Sequence, residues 1–416
     1  MDMLIKAGLV YPVSSPPIPN GHIAIEGGRI RAVGGAADFG SSSSGPVIDL
    51  SGHIVMPGFV NAHSHLQFAS ARKKFHPDSG FVDWIRQVIA FSRAVPARER
   101  EEGMRAGIAE MLASGATAVG DIVSDPEFAK PFVTAKIRSV VFIESIAPDP
   151  AEAQTIAENV MGQVDTLSQM GLKAGISPHA PHTVSGALFK LLAKGAHALP
   201  LKLTSHVAES AEEDEYIRNG AGPMSAFFEE RGIPLANAKG MSPVRLLDSY
   251  GALDGLVAAH LNLLDENDLQ LLEKRHAAPV FCPGSSRWFG RERVMPFDRM
   301  IQMGLRPALG TDSLASNGAL SMLDEMRSAA VYFPAHDREK IIEAATLNGA
   351  LALGLDCGSI VPGKFADLIA FRWDGRENPV EVIFSATRPD FVMIGGTAVL
   401  PWEITGNGKR TKRNDR

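Results

Sequence analysis

His63 and His65 stand one residue apart in Asn61-Ala62-His63-Ser64-His65, directly after the apolar run Ile54-Val55-Met56-Pro57-Gly58-Phe59-Val60. Side chains alternate across a strand with period two, so both imidazoles point the same way at its end. Two converging imidazoles can hold a divalent metal such as zinc or iron. The pair alone is weak, because such spacing also arises by chance. His206, His260 and Asp312 strengthen it, since each also follows an apolar run. Three histidines and a carboxylate can bind Zn²⁺ or Fe²⁺ and leave room for water, whose pKa the metal lowers toward ~7. Glu209, three residues after His206, could take a proton from that water and hand it to a substrate ring nitrogen. An acidic stretch follows it (Glu212, Glu213, Glu215), so an exposed surface glutamate is the bland alternative. His260 is either a ligand or a group that holds the hydroxide, and spacing leaves both open. Asp312 could coordinate the metal and collect a proton. Any one of these histidines alone is more often a hydrogen-bonded core residue; such residues ending four separate runs together point to a metal-dependent hydrolase.

Eight apolar runs carry these residues. The first ends at His63 and His65, and the next two are Ala116–Asp121 and Ser139–Glu144. Leu172–Ser177 leads to Pro178-His179, Leu201–Ser205 to His206, and Leu256–Ala259 to His260. Pro279–Cys282 and Pro307–Thr311 complete the set, the last reaching Asp312. Residues 98–114, 150–169 and 265–275 show apolar positions at helical spacing between such runs. Strands alternating with helices imply a parallel sheet, and eight of them imply closure into a barrel with its site at the carboxyl ends. No lysine ends the fourth run, where a carbamylated lysine would bridge two metals, so a single ion is expected.

Short strand-like runs flank this region. Leu4–Ala7, His22–Glu26, Ile30–Val33 and Val47–Leu50 lie before it; Gly358–Gly363, Ala366–Phe371 and Val392–Gly396 lie after it. The two groups can pair into one accessory unit, which divides the chain into 1–57, a barrel over 58–355, and 356–416. Gly40–Gly45 is serine-rich and reads as a loop, and Lys409–Arg413 as a solvated basic tail.

The 416 residues are 45% hydrophobic and 21% charged, enough for a large core. A formal net charge of −6 gives no electrostatic case for nucleic acid or an anionic membrane. Only Cys282 and Cys357 occur, which builds no disulfide framework and suits a reducing compartment. The start, Met1–Lys6, lacks signal-peptide features, and no apolar run spans a bilayer, so a cytoplasmic location is expected. The absence of a Pro-Cys-x-x-Cys pair sets aside a cytidine-deaminase zinc site.

The chain resembles the amidohydrolase superfamily, in its deaminase and chlorohydrolase (ATZ/TRZ-like) branch. The matching pieces are Met56–His65, Ser177–Thr183, His206-Val207-Ala208-Glu209, His260, Gly310-Thr311-Asp312-Ser313 and Gly358–Leu368. The resemblance implies a (β/α)8 barrel with a small β-sandwich built from both termini. It implies one ion held by His63, His65, His206 and Asp312, with Glu209 and His260 as catalytic groups. Homodimers are common in that family, though no segment here announces an interface. Gly80–Ile85 and Gly310–Asn317 look most like aminodeoxyfutalosine deaminases of menaquinone biosynthesis. Other members of the branch act on adenosine, adenosylhomocysteine, guanine or chlorotriazines. Where relatives read CPxSN, this chain has Cys282-Pro283-Gly284-Ser285-Ser286-Arg287-Trp288, which leaves the metal set intact but bears on the substrate. Candidate substrate contacts are His179, on a nucleoside hydroxyl or ring nitrogen, Trp84 as a stacking wall, Gln67 and Arg287. His182 is a weaker candidate. Residues 66–83 and 284–296 are candidate lids. A barrel that has lost catalysis and serves as a binding protein is the rival from another class, and the complete set of six polar residues speaks against it.

Overall fold

The computed structural model describes residues 2–39, 45–77, 80–233, 240–335 and 337–399. The Gly40–Ser44 stretch, His336 and the basic tail therefore lie outside the described residues.

The chain begins in a mixed sheet. Strands β1 (Met3–Val10), β2 (Ile18–Pro19), β3 (Gly21–Glu26), β4 (Arg29–Gly35) and β5 (Val47–Pro57) come first. The barrel strands follow: β6 (Phe59–Ser64), β7 (Ala116–Val123), β8 (Arg138–Ser145), β9 (Lys173–Pro178), β10 (Lys202–Val207), β11 (Val257–His260), β12 (Ala278–Phe281) and β13 (Ala308–Leu309). Strands β14 (Leu368–Arg372), β15 (Phe391–Ile394) and β16 (Thr397–Ala398) then return to the first sheet. Its order is β16-β15-β14-β5-β1-β3-β4, with β2 on β1, so both ends of the chain build it.

The apolar run before His63 is divided between the two sheets at Gly58. Met56 pairs with Ile369 in the flanking sheet, while Val60 pairs with Ala118 in the barrel. A Cβ on Gly58 would lie 2.1 Å from Thr117 Oγ1, so only glycine lets the chain cross here.

All eight barrel strands run parallel in sequence order. The ring closes where Ser64 bridges Asp312 and the Asp312 N–H donates to His63 O at 3.0 Å. Inward side chains such as Val60, Ala118, Val140 and Phe142 fill the interior. Outward ones, among them Val141, Ile143 and Ile176, join the larger core under the helices. Helix Ala153–Gln169 shows why: Ala153, Ala157, Val160, Val164 and Leu167 recur every three or four residues and are buried. The half-buried Arg138 of β8 ties the two sheets together, donating to both carboxylate oxygens of Asp367 at 2.6 and 2.9 Å.

One strand expectation fails and another shortens, both for backbone reasons. Gly358–Gly363 forms turns, with Gly358 and Gly363 at φ +77° and +91°, and docks on β4 through Gly363 N to Ile30 O. The eighth barrel strand is only Ala308–Leu309, because the chain beyond it turns into left-handed geometry at Asp312. Among the described residues no helix is long and apolar enough to cross a membrane.

Candidate metal centre and active site

The ends of β6 and β10 bring His63, His65 and His206 together, with ligand-capable nitrogens within 4.8 Å of one another. Asp312, past β13, sets Oδ1 4.0 Å from Nε2 of both His63 and His65. His206 Nδ1 lies 2.9 Å from the carbonyl of His179, which can only accept, so Nδ1 carries the proton and Nε2 presents a bare lone pair. His65 Nε2 sits 3.0 Å from that nitrogen. Two lone pairs so close repel unless a proton or a cation lies between them. Both ring nitrogens of His63 are buried with no hydrogen-bond partner among the described residues. Burial first, then mutual repulsion among the histidines, holds protonation of His63 and His65 well below the ordinary range. Neutral, unpartnered imidazoles beside a carboxylate fit a divalent ion, and these four residues could hold one. Cys282 Sγ also comes within 4.8 Å of His63 and His260 ring nitrogens, and burial raises its thiol well above the usual value.

Asp312 is oriented from behind. Its Oδ2 accepts from Ser285 and Ser316 hydroxyls, both at 2.8 Å, which leaves Oδ1 toward the histidines. Asn61 grips the next residue, accepting from Thr311 N at 3.0 Å and donating to Thr311 Oγ1 at 2.8 Å. Gly310 packs on His63, and a Cβ there would meet His63 Cβ at 2.8 Å. Buried Glu325 accepts from Gly284 N and Asn317 Nδ2, joining the loops after β12 and β13.

The backbone at this face is strained. Ala208, His260, Leu261 and Asp312 all have φ between +50° and +73°, a region that non-glycine residues seldom occupy. Hydrogen bonds hold them there: Leu261 N to Val207 O, Asn262 N to Ala208 O, and Asn262 Nδ2 to Glu209 O.

Glu209 is buried beside the histidines, not exposed. Burial pushes its carboxyl up to about 7, against the pull of the Arg291 guanidinium. Its Oε1 receives Arg291 Nη2 at 2.8 Å, and its Oε2 faces His260 Nε2 at 3.8 Å. Glu213 holds the Glu209 backbone, accepting from Ala208 N at 3.2 Å and Glu209 N at 2.7 Å. His182 Nδ1 lies 3.6 Å from Glu213, so that histidine backs the loop. His260 is buried and its nitrogen Nε2 has no hydrogen-bond partner among the described residues; burial brings its pKa down to about 3. It therefore stands between His63 and Glu209 as a neutral ring.

The proposed substrate contacts separate into near and far. His179 is near. Thr183 Oγ1 spends its proton on Ala180 O and so accepts from His179 Nδ1 at 2.8 Å, leaving His179 Nε2 as an acceptor. Glu144, which ends β8, comes within 4.8 Å of His179 and His206, with Oε1 unpartnered and the carboxyl raised by burial to about 7. Trp84 lies in helix Phe81–Ala94, stacks on Phe81 and donates Nε1 to Ala315 O at 3.0 Å. Phe289 meets both rings edge-on, so the two segments expected as lids meet each other. Gln67 is buried, but its Oε1 accepts from Ser124 N and Oγ, which ties the loop after β6 to the end of β7. Arg287 is exposed and donates to Ser328 at 3.2 Å, on helix Met322–Tyr332.

Arg291, Ser285, Ser316, Asn61 and Glu144 escape a reading of the sequence as site residues. Asn61, Ser285 and Ser316 lie within the quoted motifs, Glu144 ends an apolar run, and Arg291 lies only in the expected lid 284–296.

A model of the amidohydrolase family matches residues 54–399 of the chain. A 5-methylthioadenosine/S-adenosylhomocysteine deaminase from Pyrococcus furiosus is 31% identical over 380 residues, covering 88% of this chain and 85% of that protein. The crystal structure of an adenosine deaminase from Xanthomonas campestris with bound zinc superposes with a TM-score of 0.80 at 25% identity, over 95% of this chain and 92% of that one. An aminofutalosine deaminase from Helicobacter pylori, in complex with methylthio-coformycin, shares the fold with a TM-score of 0.84 at 22% identity, over 96% of this chain and all of that one.

Proposed function

The chain belongs to the amidohydrolase family, and from that premise we propose that it is a metal-dependent aminohydrolase that deaminates an adenine-type nucleoside. The observation that carries the proposal is the place of Glu209: its carboxyl is buried beside the histidine cluster with Oε2 3.8 Å from His260 Nε2, and burial pushes it up to about 7, where a carboxyl can both take and give a proton.

His63, His65, His206 and Asp312 would hold one ion, zinc or iron, since their nitrogens and oxygen suit both. That ion, when bound, supplies a Lewis acid that makes water nucleophilic near neutral pH. The protein's part is to place and move protons. Glu209 Oε2 accepts a proton from the attacking water and donates it to the ring nitrogen beside the amino-bearing carbon. His260, a neutral ring 3.8 Å from that oxygen, orients the water. The Asp312 carboxylate takes the second proton and returns it to the departing amine. Water adds its oxygen to the carbon, the C–N bond breaks, and ammonia leaves. His179 Nε2 and the Glu144 carboxyl offer hydrogen-bonding groups to the part of the substrate away from the reacting carbon.

Within this class the loop motifs Gly80–Ile85 and Gly310–Asn317 favour aminodeoxyfutalosine, which would place the enzyme in menaquinone biosynthesis. The curated relatives favour a second reading, methylthioadenosine or adenosylhomocysteine. Ammonia release by zinc-loaded protein over these nucleosides, adenosine, guanine and a chlorotriazine decides among them. Turnover of an adenine nucleoside is expected; silence on every adenine compound with metal bound would overturn the substrate class.

A further inference from the structure

Arg291 touches the proposed proton shuttle without belonging to the histidine set. Its guanidinium grips Glu209 twice, with Nη2 on carboxylate Oε1 at 2.8 Å and Nη1 on the main-chain carbonyl of the same residue. The fork is held in turn. Its Cζ lies 4.7 Å from the Phe289 ring centroid and 5.2 Å from that of Phe81. Its own backbone donates to Ser286 O at 2.9 Å and accepts from Tyr332 Oη–H at 3.3 Å. Arg291 is thus a part of the 284–296 segment that reaches across the site.

We propose that Arg291 is a positioning residue that divides the labour of the Glu209 carboxylate, occupying Oε1 so that Oε2 alone carries the proton between water and substrate. This rests on the deaminase reading above. A guanidinium does not release its proton at working pH, so Arg291 is no relay. What it contributes is a fixed charge and a two-point grip, which a single ammonium cannot reproduce. Without it the carboxylate rotates about its own side chain, and a proton donor misplaced by about 1 Å loses on the order of 10²-fold in rate. The same grip makes proton transfer depend on the 284–296 segment and the Phe81 helix end being in place.

The test uses zinc-loaded Arg291→Gln and Arg291→Lys variants of the full chain. Each is assayed on a neutral adenine nucleoside and on one carrying a carboxylate on its 5′ substituent, and the Arg291→Gln variant is crystallised with zinc. Arg291→Gln is expected to lose roughly 30- to 100-fold in kcat on both nucleosides alike, with KM within about threefold and zinc content unchanged. Arg291→Lys should recover part of that loss. In the crystal the Glu209 carboxylate should leave its present orientation while the four metal-binding residues stay. A kcat within twofold of the parent, or a carboxylate that does not move, overturns the proposal. So does a KM rise confined to the carboxylate-bearing nucleoside, which would make Arg291 a substrate anchor. If the parent turns over neither nucleoside, the deaminase reading falls, and the orientation of Glu209 in the crystal decides Arg291 by itself. Should Arg291→Gln fail to fold, the kcat and crystal structure of Arg291→Lys decide in the same way.

Discussion

The flanking sheet and the carboxyl-end face of the barrel are both built from strands, yet they break opposite rules. In the sheet, Ile5, Ile23, Ile25, Ile30, Val55, Leu368 and Met393 are buried against one another, and tight turns fall on Gly27, Gly28, Gly395 and Gly396. On the barrel face, Ala208, His260, Leu261 and Asp312 take the left-handed geometry that those glycines take at less cost. Buried nitrogens of His63 and His260 lack hydrogen-bond partners there among the described residues. One region is arranged for packing, with left-handed Val13 and Asn20 and the unpartnered Nδ1 atoms of His22 and His53 spread along it rather than gathered at one place. The other holds strain and unsatisfied charge-ready groups, which persist only where surrounding bonds over-determine them.

That contrast can be broken experimentally, and the largest effect should come from the metal. Chelation should abolish turnover and lower stability by about 4 kcal/mol relative to protein in a thousandfold excess of zinc over its Kd, with recovery on reloading. A chelated protein with full activity would erase the distinction between the two regions. Glu209→Gln comes next: a kcat lower by about 10³-fold, within the range for general acid–base groups, with zinc content by elemental analysis unchanged. Retained activity would remove Glu209 from the chemistry. Ile23→Ala sharpens the comparison from the other side. It should cost roughly 2–5 kcal/mol in denaturant unfolding and leave kcat alone. A change in kcat would show that the sheet takes part in the site.

Smaller effects probe the supports. Ser285→Ala removes one of two hydroxyls on Asp312 Oδ2 and should weaken zinc affinity about 10-fold in competition titrations, as expected for outer partners of a metal ligand. The smallest effect concerns pH. Glu144 titrates at about 7 in the fold against an ordinary value of 4.5, so its contribution favours folding below 4.5 and is lost as pH rises through 7. Glu144→Gln should therefore stabilise the protein at pH 8.5 and leave its stability unchanged at pH 4.5. An equal difference at both pH values in calorimetry would rule out burial of the charge as the cause.

What was legible in the sequence follows from geometry. His63, His65, His206, His260 and Asp312 each end an apolar run, and a strand carries its end to a predictable face, so one-dimensional order predicts the cluster. Helix periodicity likewise placed residues 98–114, 150–169 and 265–275 against observed helices Ala97–Ala113, Ala153–Gln169 and Glu266–Lys274. Loops carry no such rule. Arg291 reaches Glu209 across 82 positions, and nothing local announces it. Gln67 follows the histidine pair closely, yet a short 3₁₀ turn over Leu66–Ala71 sends its amide to Ser124. Glu213 looked like one acid among several, and it is the buried one that braces Glu209.

The ring's last joint has a further meaning. Ser64 bridges Asp312, and His63 O accepts from Asp312 N, so the first and eighth strands meet through the same residues that could hold the ion. Asn61 and Thr311, which brace the joint, are 250 positions apart. An ion bound there would act as a clasp on a hoop, fastening the two ends of a long loop that chain entropy tends to part. Zinc occupancy would then report whether the whole circle is shut, and in the metal-free protein amide exchange should start at this seam before it reaches the strands opposite.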